Sequence, residues 1–542
     1  MLFLEAKVCA RRNLLARCGF SLWLAVVILA GGIWPAGQAL GADTSDPVLA
    51  LMVEKGMITE TEAAKVQAQV DERRTNPVAI FPESKWKISS GIKDLEIFGD
   101  LRLRYEGREA TDPVGGKIDL ERLRYAVRLG LRGNLFDDFY YGLRLETAAN
   151  SRSSFVTFGT SSSGTPYQGP FGKSTAGLNI GQVYLGWHPT KWLEVTAGKM
   201  PNPLYTSAMV WSPSINPEGL AERFKYSVGE VEFFATLGQF LYQDLNPVSA
   251  AKGLAINNLL GQTADNIFQI AWQGGLTYHI TADTSVKIGA TLYQYLGLAT
   301  STIDQGIAPY FGDPFVGEGA FTGYNTAHPV NGDSGYGTSS TLPGYESLGY
   351  PNNQVGLDHL EVLEVPFEIN FKINKLDCRI FGDVAYNLAG SQRAEAASAG
   401  YAAYFLSLPT SSTISAFAPQ KQECKAYQFG VAVGSENSLG LVNGTTAKRH
   451  SWEVRSYWQH IEQYALDPNL LDQDLFEGRG NLEGIFAAAA YGFTDNFIGT
   501  VRYGYATRIN NKLGTGGSGQ DIPQINPIND FDLLQVDLTF KF

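Results

Sequence analysis

From Leu95 to Phe542 the chain alternates apolar and polar residues with a period of two, the pattern of β-strands that have one apolar and one polar face. The last stretch shows it most plainly. Leu534, Val536, Leu538, Phe540 and Phe542 fall on one side, and Gln535, Asp537, Thr539 and Lys541 on the other. A first strand over 95–107 sets Ile97, Leu101, Leu103 and Tyr105 against Asp100, Arg102, Arg104 and Glu106. A second over 119–133 sets Leu123, Tyr125, Val127, Leu129 and Leu131 against Arg122, Arg124, Arg128 and Arg132. No soluble sandwich strand would bury so regular a row of arginines, whereas a water-filled lumen accommodates it.

The same pattern predicts further strands over 139–149, 178–188, 191–199, 219–227, 231–243, 266–280, 284–298, 355–373, 376–389, 424–436, 449–463, 479–493, 495–508 and 530–542. With the first two these make 16. Tight turns at 134–138, 189–190, 228–230, 281–283, 374–375 and 494 alternate with long Gly-, Ser-, Pro- and Asn-rich loops at 150–177, 200–218, 300–354, 390–423 and 509–529. Short periplasmic turns and long extracellular loops alternate in this way in an outer-membrane barrel. The connection 437–448 is long for its side, so either the flanking strands extend into it or the turn protrudes. Trp187, Trp192, Tyr491, Phe493 and Phe497 fall beside expected periplasmic turns, where an interfacial aromatic girdle belongs. The predicted fold class is therefore all-β, a transmembrane antiparallel β-barrel of about 16 strands whose last strand pairs with its first. The 59 Gly, 26 Tyr, 30 Phe and 9 Trp of the 542 residues agree with it.

The N-terminus reads differently. Lys7, Arg11, Arg12 and Arg17 precede an apolar run from Phe20 to Trp34, and Ala39 and Gly41 suggest a signal peptide over 1–41 cleaved before Ala42. The alternative is an uncleaved anchor, disfavoured by the short run and by Pro35 and Gly37. Residues 42–76 form a periplasmic amphipathic helical segment, with Leu49, Met52 and Val53 before Gly56 and Ala63, Val66 and Val70 after it. Thr59 and Glu62 make a capping box. The segment either self-associates in an oligomer or touches the cell wall, or it is a modest helix packed on the barrel or left mobile. Residues 77–92 read as a linker and 93–542 as the barrel. Without residues 1–41 the chain has 38 Lys and Arg against 53 Asp and Glu, which argues against a nucleic-acid partner. Cys378 and Cys424 fall near opposite ends of their strands and are predicted to be unbonded.

The terminal Phe-Lys-Phe resembles the closing strand of bacterial outer-membrane barrels, which implies that Phe540 and Phe542 form the assembly signal read by the barrel-assembly machinery. The runs Gly198-Lys-Met-Pro-Asn-Pro203, Val210-Trp211-Ser-Pro and Ile215-Asn-Pro-Glu-Gly-Leu220 resemble a signature of the "Putative porin" family of Gram-negative outer-membrane proteins. Gly56-Met-Ile-Thr-Glu60 is similar to what precedes such barrels. Asp472-Gln-Asp-Leu-Phe476 resembles the family's Asp-Ser-Asp-Phe but departs at the second and fourth places. The resemblance covers most of 46–542 and implies a passive, homotrimeric pore in the outer membrane, surrounded by lipid and lipopolysaccharide.

In such a pore the chemistry is the field and width of the constriction. Arg102, Arg104, Arg122, Arg124, Arg128, Arg132 and Arg144 are predicted to line the lumen on one side, with Glu364 and Glu368 facing them, creating a transverse field. Alternatively these charges pair with neighbours such as Asp100, Glu106, Glu121 and Glu146. The loop 200–218, uncharged between Pro201 and Pro217, either folds inward to form the eyelet or lies on the surface or between subunits. Acidic loop residues Asp304, Asp313, Glu318, Asp333, Asp467, Asp472, Asp474 and Glu477 either share divalent cations with lipopolysaccharide or serve solubility. No enzyme motif, metal-site spacing or cofactor fingerprint is present: the histidines at 188, 279, 328, 359, 450 and 460 are scattered, and Gly514-Thr-Gly-Gly-Ser-Gly519 sits in a loop. The expected function is a porin passing small hydrophilic solutes or ions by diffusion. The alternatives are an anion-favouring selective channel, or a plugged structural or adhesive barrel.

Overall fold

The computed structural model describes residues 91–542 apart from 114, 137, 149–152, 160–176, 244–266, 297–359, 396–422, 446–447, 516–521 and 523–527. Before residue 91 only Lys55 and Thr59 are described, so the expected signal peptide, helical segment and most of the linker lie outside the described residues. So do the loop acids 304, 313, 318 and 333 and the first residues of the strand expected from 355.

The strands are β1 (Glu96–Thr111), β2 (Lys117–Asn134), β3 (Phe139–Thr147), β4 (Val156–Thr157), β5 (Leu178–Thr190), β6 (Leu193–Lys199), β7 (Glu218–Val228), β8 (Val231–Gln243) and β9 (Ile267–Thr281). They continue with β10 (Thr284–Leu296), β11 (Glu361–Ile373), β12 (Leu376–Asn387), β13 (Lys425–Ser435), β14 (Trp452–Ile461), β15 (Leu482–Gly492), β16 (Phe497–Arg508) and β17 (Asp530–Lys541). Every pairing is antiparallel. The two-residue β4 takes over from β3 beside β2, at Arg124 and Tyr125, so the two share one crossing and the barrel has 16. The residues between β3 and β4 interrupt that crossing, which alternation alone did not reveal. The barrel closes where β17 pairs with β1, Phe540 opposite Leu101, Leu538 opposite Leu103 and Val536 opposite Tyr105. Both sheet edges disappear there.

The apolar set faces outward and is solvent-accessible: Ile97, Leu101, Leu103, Leu123, Leu129, Val183, Trp272, Val431, Ile485, Phe540 and Phe542 are all exposed. A soluble fold could not leave so many large side chains uncovered, whereas lipid is their proper solvent. Trp187 stacks on Phe139 and Trp192 on Phe224, and Phe493 touches Tyr491 and Phe497, placing the expected aromatic girdle at the periplasmic turns. Cys378 and Cys424 are unbonded. At the seam Gly99 lies under the terminal ring: a Cβ there would come within 2.7 Å of the Phe542 ring and 2.4 Å of the Arg128 carbonyl oxygen.

Two connections differ from expectation. The first extracellular one, Asp112–Gly116, is a tight turn closed by the Asp112 carboxylate on the Gly116 N–H at 2.7 Å. The periplasmic connection 436–451 neither extends the strands nor protrudes; it turns into the barrel. Its 3₁₀ turn, Leu441–Asn443, is buried at Leu441 and Val442. The fully buried Glu453 of β14 accepts the Gly440 and Val442 N–H groups at 2.8 and 2.9 Å, and Arg502 of β16 donates to the Val442 carbonyl at 2.8 Å. Satisfying these backbone groups from inside is what makes an inward turn tolerable.

Candidate functional site

The wall formed by β17, β1 and β2 carries the arginine column. Antiparallel register sets Arg104 opposite Arg124 on one side and Asp537 on the other. Side-by-side guanidiniums repel, and interleaved carboxylates offset that. Arg104 grips Asp537 with two bonds of 2.7 and 2.9 Å, the bidentate geometry that suits a buried guanidinium. Arg502 also pairs with Asp537. The fully buried Glu106 takes Arg108 at 3.1 Å, Arg122, Arg124 at 3.5 Å and the Gln535 amide at 2.9 Å. Nearer the periplasm Asp100 is shared by Arg102 and Arg128, both at 2.8 Å, Glu146 pairs with Arg144 at 3.2 Å, and Glu96 with Arg132 at 2.7 Å. Glu121 is exposed on the opposite face from Arg122.

Two extracellular loops enter the lumen. The loop between β14 and β15 (462–481) reaches the arginine wall: Asp474 accepts Arg104 at 3.1 Å and Gln535 at 2.8 Å, and the Gln473 carbonyl accepts Arg108 at 3.1 Å. Phe155, just before β4, adds its ring 4.0 Å from the Arg104 guanidinium. Burial pushes the Asp474 carboxyl up, but Arg104 and its fellow guanidiniums outweigh that and hold it below the usual range. Asp472, desolvated by the packed loop and beside the Asp474 charge, is pushed up to about 7. Asp467 accepts the Tyr242 and Tyr295 hydroxyls, each at 2.7 Å. Asp467 and Glu477 are buried, and Asp472 and Asp474 are partly buried against protein partners, which corrects the expectation that these four serve solubility or share cations with lipopolysaccharide.

The loop between β6 and β7 (200–217) crosses to the far wall. Thr206 and Tyr293 donate to Glu364 at 2.6 Å each, Ser207 donates to Asp383 at 2.5 Å, and Tyr205 exchanges two backbone bonds with the Gln273 amide at 2.8 and 2.9 Å. The two loops meet where the Ser212 N–H donates to the Leu470 carbonyl at 2.7 Å. Met209, Leu471, Leu475 and Phe476 are buried together at that junction. Burying each such side chain contributes about 1.5–3 kcal/mol, so the loops are fixed parts of the lumen.

All nine residues predicted to line the lumen point inward. Arg104, Arg124 and Glu364 are closed off beneath the loops, Glu364 completely. Arg102, Arg122, Arg128 and Arg144 keep 12–19% exposure, and Arg132 keeps 53%. Glu368 lies 3.6 Å from Arg379. The acidic side of the expected transverse field is thus largely covered or paired. Sequence parity could have found Asp383 and Lys287 on the inward faces of β12 and β10. Nothing in the sequence pattern pointed to Asp474 as the partner of an arginine 370 positions away.

The lumen-facing charges and inserted loops coincide with a sequence match of the "Putative porin" family model over residues 110–542. The chain belongs to this family. This porin forms an outer-membrane channel for passive diffusion and works as a channel rather than as an enzyme. No curated protein sequence matches it. Among solved structures it is similar to the anion-selective porin of Comamonas acidovorans, with TM-score 0.38 and 7% identity over 83% of this chain and 99% of that one. It is also similar to the outer membrane channel DcaP of Acinetobacter baumannii, with TM-score 0.36 and 10% identity over 84% and 99% of the two chains. Salmonella typhi OmpF shows TM-score 0.37 and 9% identity over 84% and 98%.

Proposed function

We propose that this porin passes small hydrophilic solutes and favours anions. One contrast carries the reading: the carboxyls of the far wall, Glu364 and Asp383, are sealed by Thr206, Ser207 and Tyr293, while cations of the periplasmic half remain in excess. Asp100 is shared between Arg102 and Arg128, and among the described residues Lys541 and Lys287 have no carboxylate within ion-pair distance. A narrow lumen with low-dielectric walls focuses that excess on a passing ion.

In a tenfold KCl gradient across a planar bilayer the reversal potential is expected on the chloride side of zero. The pair Arg128→Ala and Lys541→Ala should move it towards zero. A cation-side potential, or one unmoved by the pair, would sink the reading.

The same proposal includes a homotrimer of chains processed before Ala42, with residues 42–76 on the periplasmic side. Outward-facing Ser456 on β14 and its neighbours Ala487 and Ala489 on β15 are small side chains where a second barrel could approach. Native mass spectrometry of protein extracted from outer membranes should return three copies of the 42–542 chain. A monomer, or an unprocessed N-terminus, would end this part of the proposal.

A further inference from the structure

A cavity of about 260 Å³ lies beside the inserted loop segment Asn202–Tyr205, against β7, β8, β9 and β10. Its wall residues Lys225, Phe234 and Lys287 come from the periplasmic halves of their strands, so the pocket opens below the loop. At about 30 Å³ per water it has room for roughly nine waters, or a solute of similar bulk. Three cations line it, Arg223, Lys225 and Lys287. Arg223 is paired with Glu194 at 3.1 Å and Lys225 with Glu232 at 3.1 Å. Lys287 is different. Its ammonium sits 3.8 Å from the Tyr205 ring centroid and 5.3 Å from that of Phe234. The nearest acid across the strand pair, Glu368, is occupied by Arg379 at 3.6 Å. The Gln273 amide, locked on Tyr205 and on Thr291 at 2.7 Å, fixes the loop that supplies the ring.

An ammonium with three donors, two aromatic faces beside it and no carboxylate within ion-pair distance among the described residues is an incomplete set. We propose that this cavity is a binding subsite on the permeation path for small carboxylates with an apolar body, the carboxylate on Lys287 and the body against Tyr205 and Phe234. The proposal rests on the channel reading and deepens it from general anion preference to a solute class. Neutral solutes of the same shape would leave the ammonium unpaired, and bare small anions would leave the rings uncovered, so both bind less well.

The test is single-channel recording of the purified full barrel in KCl with sodium benzoate, benzamide or sodium acetate added. Benzoate should produce resolvable blocking events, and benzamide and acetate should need about tenfold higher concentration, the loss of one charge-assisted contact or of the apolar one. Lys287→Met, checked for assembly by heat-modifiable gel mobility, should raise the half-blocking benzoate concentration about tenfold, and Lys287→Arg should keep it within a few fold. Lys375→Met, at the exposed turn between β11 and β12, should leave benzoate block in place. Equal block by benzamide, block insensitive to Lys287→Met, or block abolished by Lys375→Met would overturn the subsite. Ordinary KCl conductance without benzoate block would overturn it while sparing the channel, and absence of any conductance would overturn both.

Discussion

Arg104→Ala is expected to destabilise the assembled barrel by about 3–5 kcal/mol, the range for removing one partner from a buried ion pair. Arg104 is almost wholly buried, and its guanidinium serves Asp537 twice, Asp474 once and the face of Phe155. Truncation leaves Asp474 and Glu106 short of a cation inside the wall, while Asp537 keeps only Arg502. It also removes one of the bonds that tie the 462–481 loop to the wall, so channels that do form should be noisier. Arg104→Lys retains the charge but not the planar fork and should lose part of the stability, with the bidentate bond to Asp537 gone. Denaturant unfolding in detergent micelles, followed by heat-modifiable mobility, measures both variants. A loss below about 1 kcal/mol for the alanine variant would mean that the cluster behaves as a string of solvated surface pairs.

Removing Phe542 should have a different signature. The residue exchanges two backbone hydrogen bonds with Gly99, at 2.9 and 3.1 Å, and its ring covers that glycine on the lipid side. It contributes nothing to the inner wall. Deletion is therefore expected to cut the amount of protein reaching the outer membrane severalfold, while the channels that still form conduct as before. Normal outer-membrane levels would end the reading of Phe540 and Phe542 as an assembly signal. An altered unit conductance would show instead that the seam shapes the lumen.

The strand pattern was legible because lipid imposes one rule on every crossing, apolar residues outward, and a period of two follows directly. The inner face obeys no such single rule. Phe531 and Leu533 are buried in the same apolar cluster as Leu470, Leu471, Leu475 and Phe476 of the 462–481 loop; from the sequence they only disturb the alternation that begins at Leu534. The inward course of 200–217 was partly readable, since an uncharged run rich in Pro and apolar residues suits burial. That of 462–481 was not. Its carboxylates look like any solvated loop until their arginine and tyrosine partners, far away in the chain, are known. The inward turn at 436–451 rests on Leu441 and Val442 among Ser, Asn and Gly, too faint a signal to separate from an ordinary protruding turn. The arginine column itself was predicted as lumen-facing, but periodicity gives the side of the sheet and not the partner. It therefore left open the pairing with Asp100, Glu106 and Glu146 that the structure contains.

The seam between β1 and β17 also sets the order of events in folding. Every other neighbouring pair of crossings is joined directly in the chain, whereas Arg104 and Asp537 are 433 positions apart. Closing a loop that long costs about 3 kcal/mol more chain entropy than closing a hairpin of about 20 residues. Non-local pairing of this kind is slow. Closure is consequently the late step, and the two strands that must wait for each other carry the charges that neutralise one another. Until Asp537 arrives, Arg104 lacks its bidentate partner in the wall. The ionic cluster thus acts as a check on completion: it becomes satisfied when the cylinder shuts in the correct register, and a slip of one residue would turn Asp537 towards lipid and leave Arg104 uncompensated.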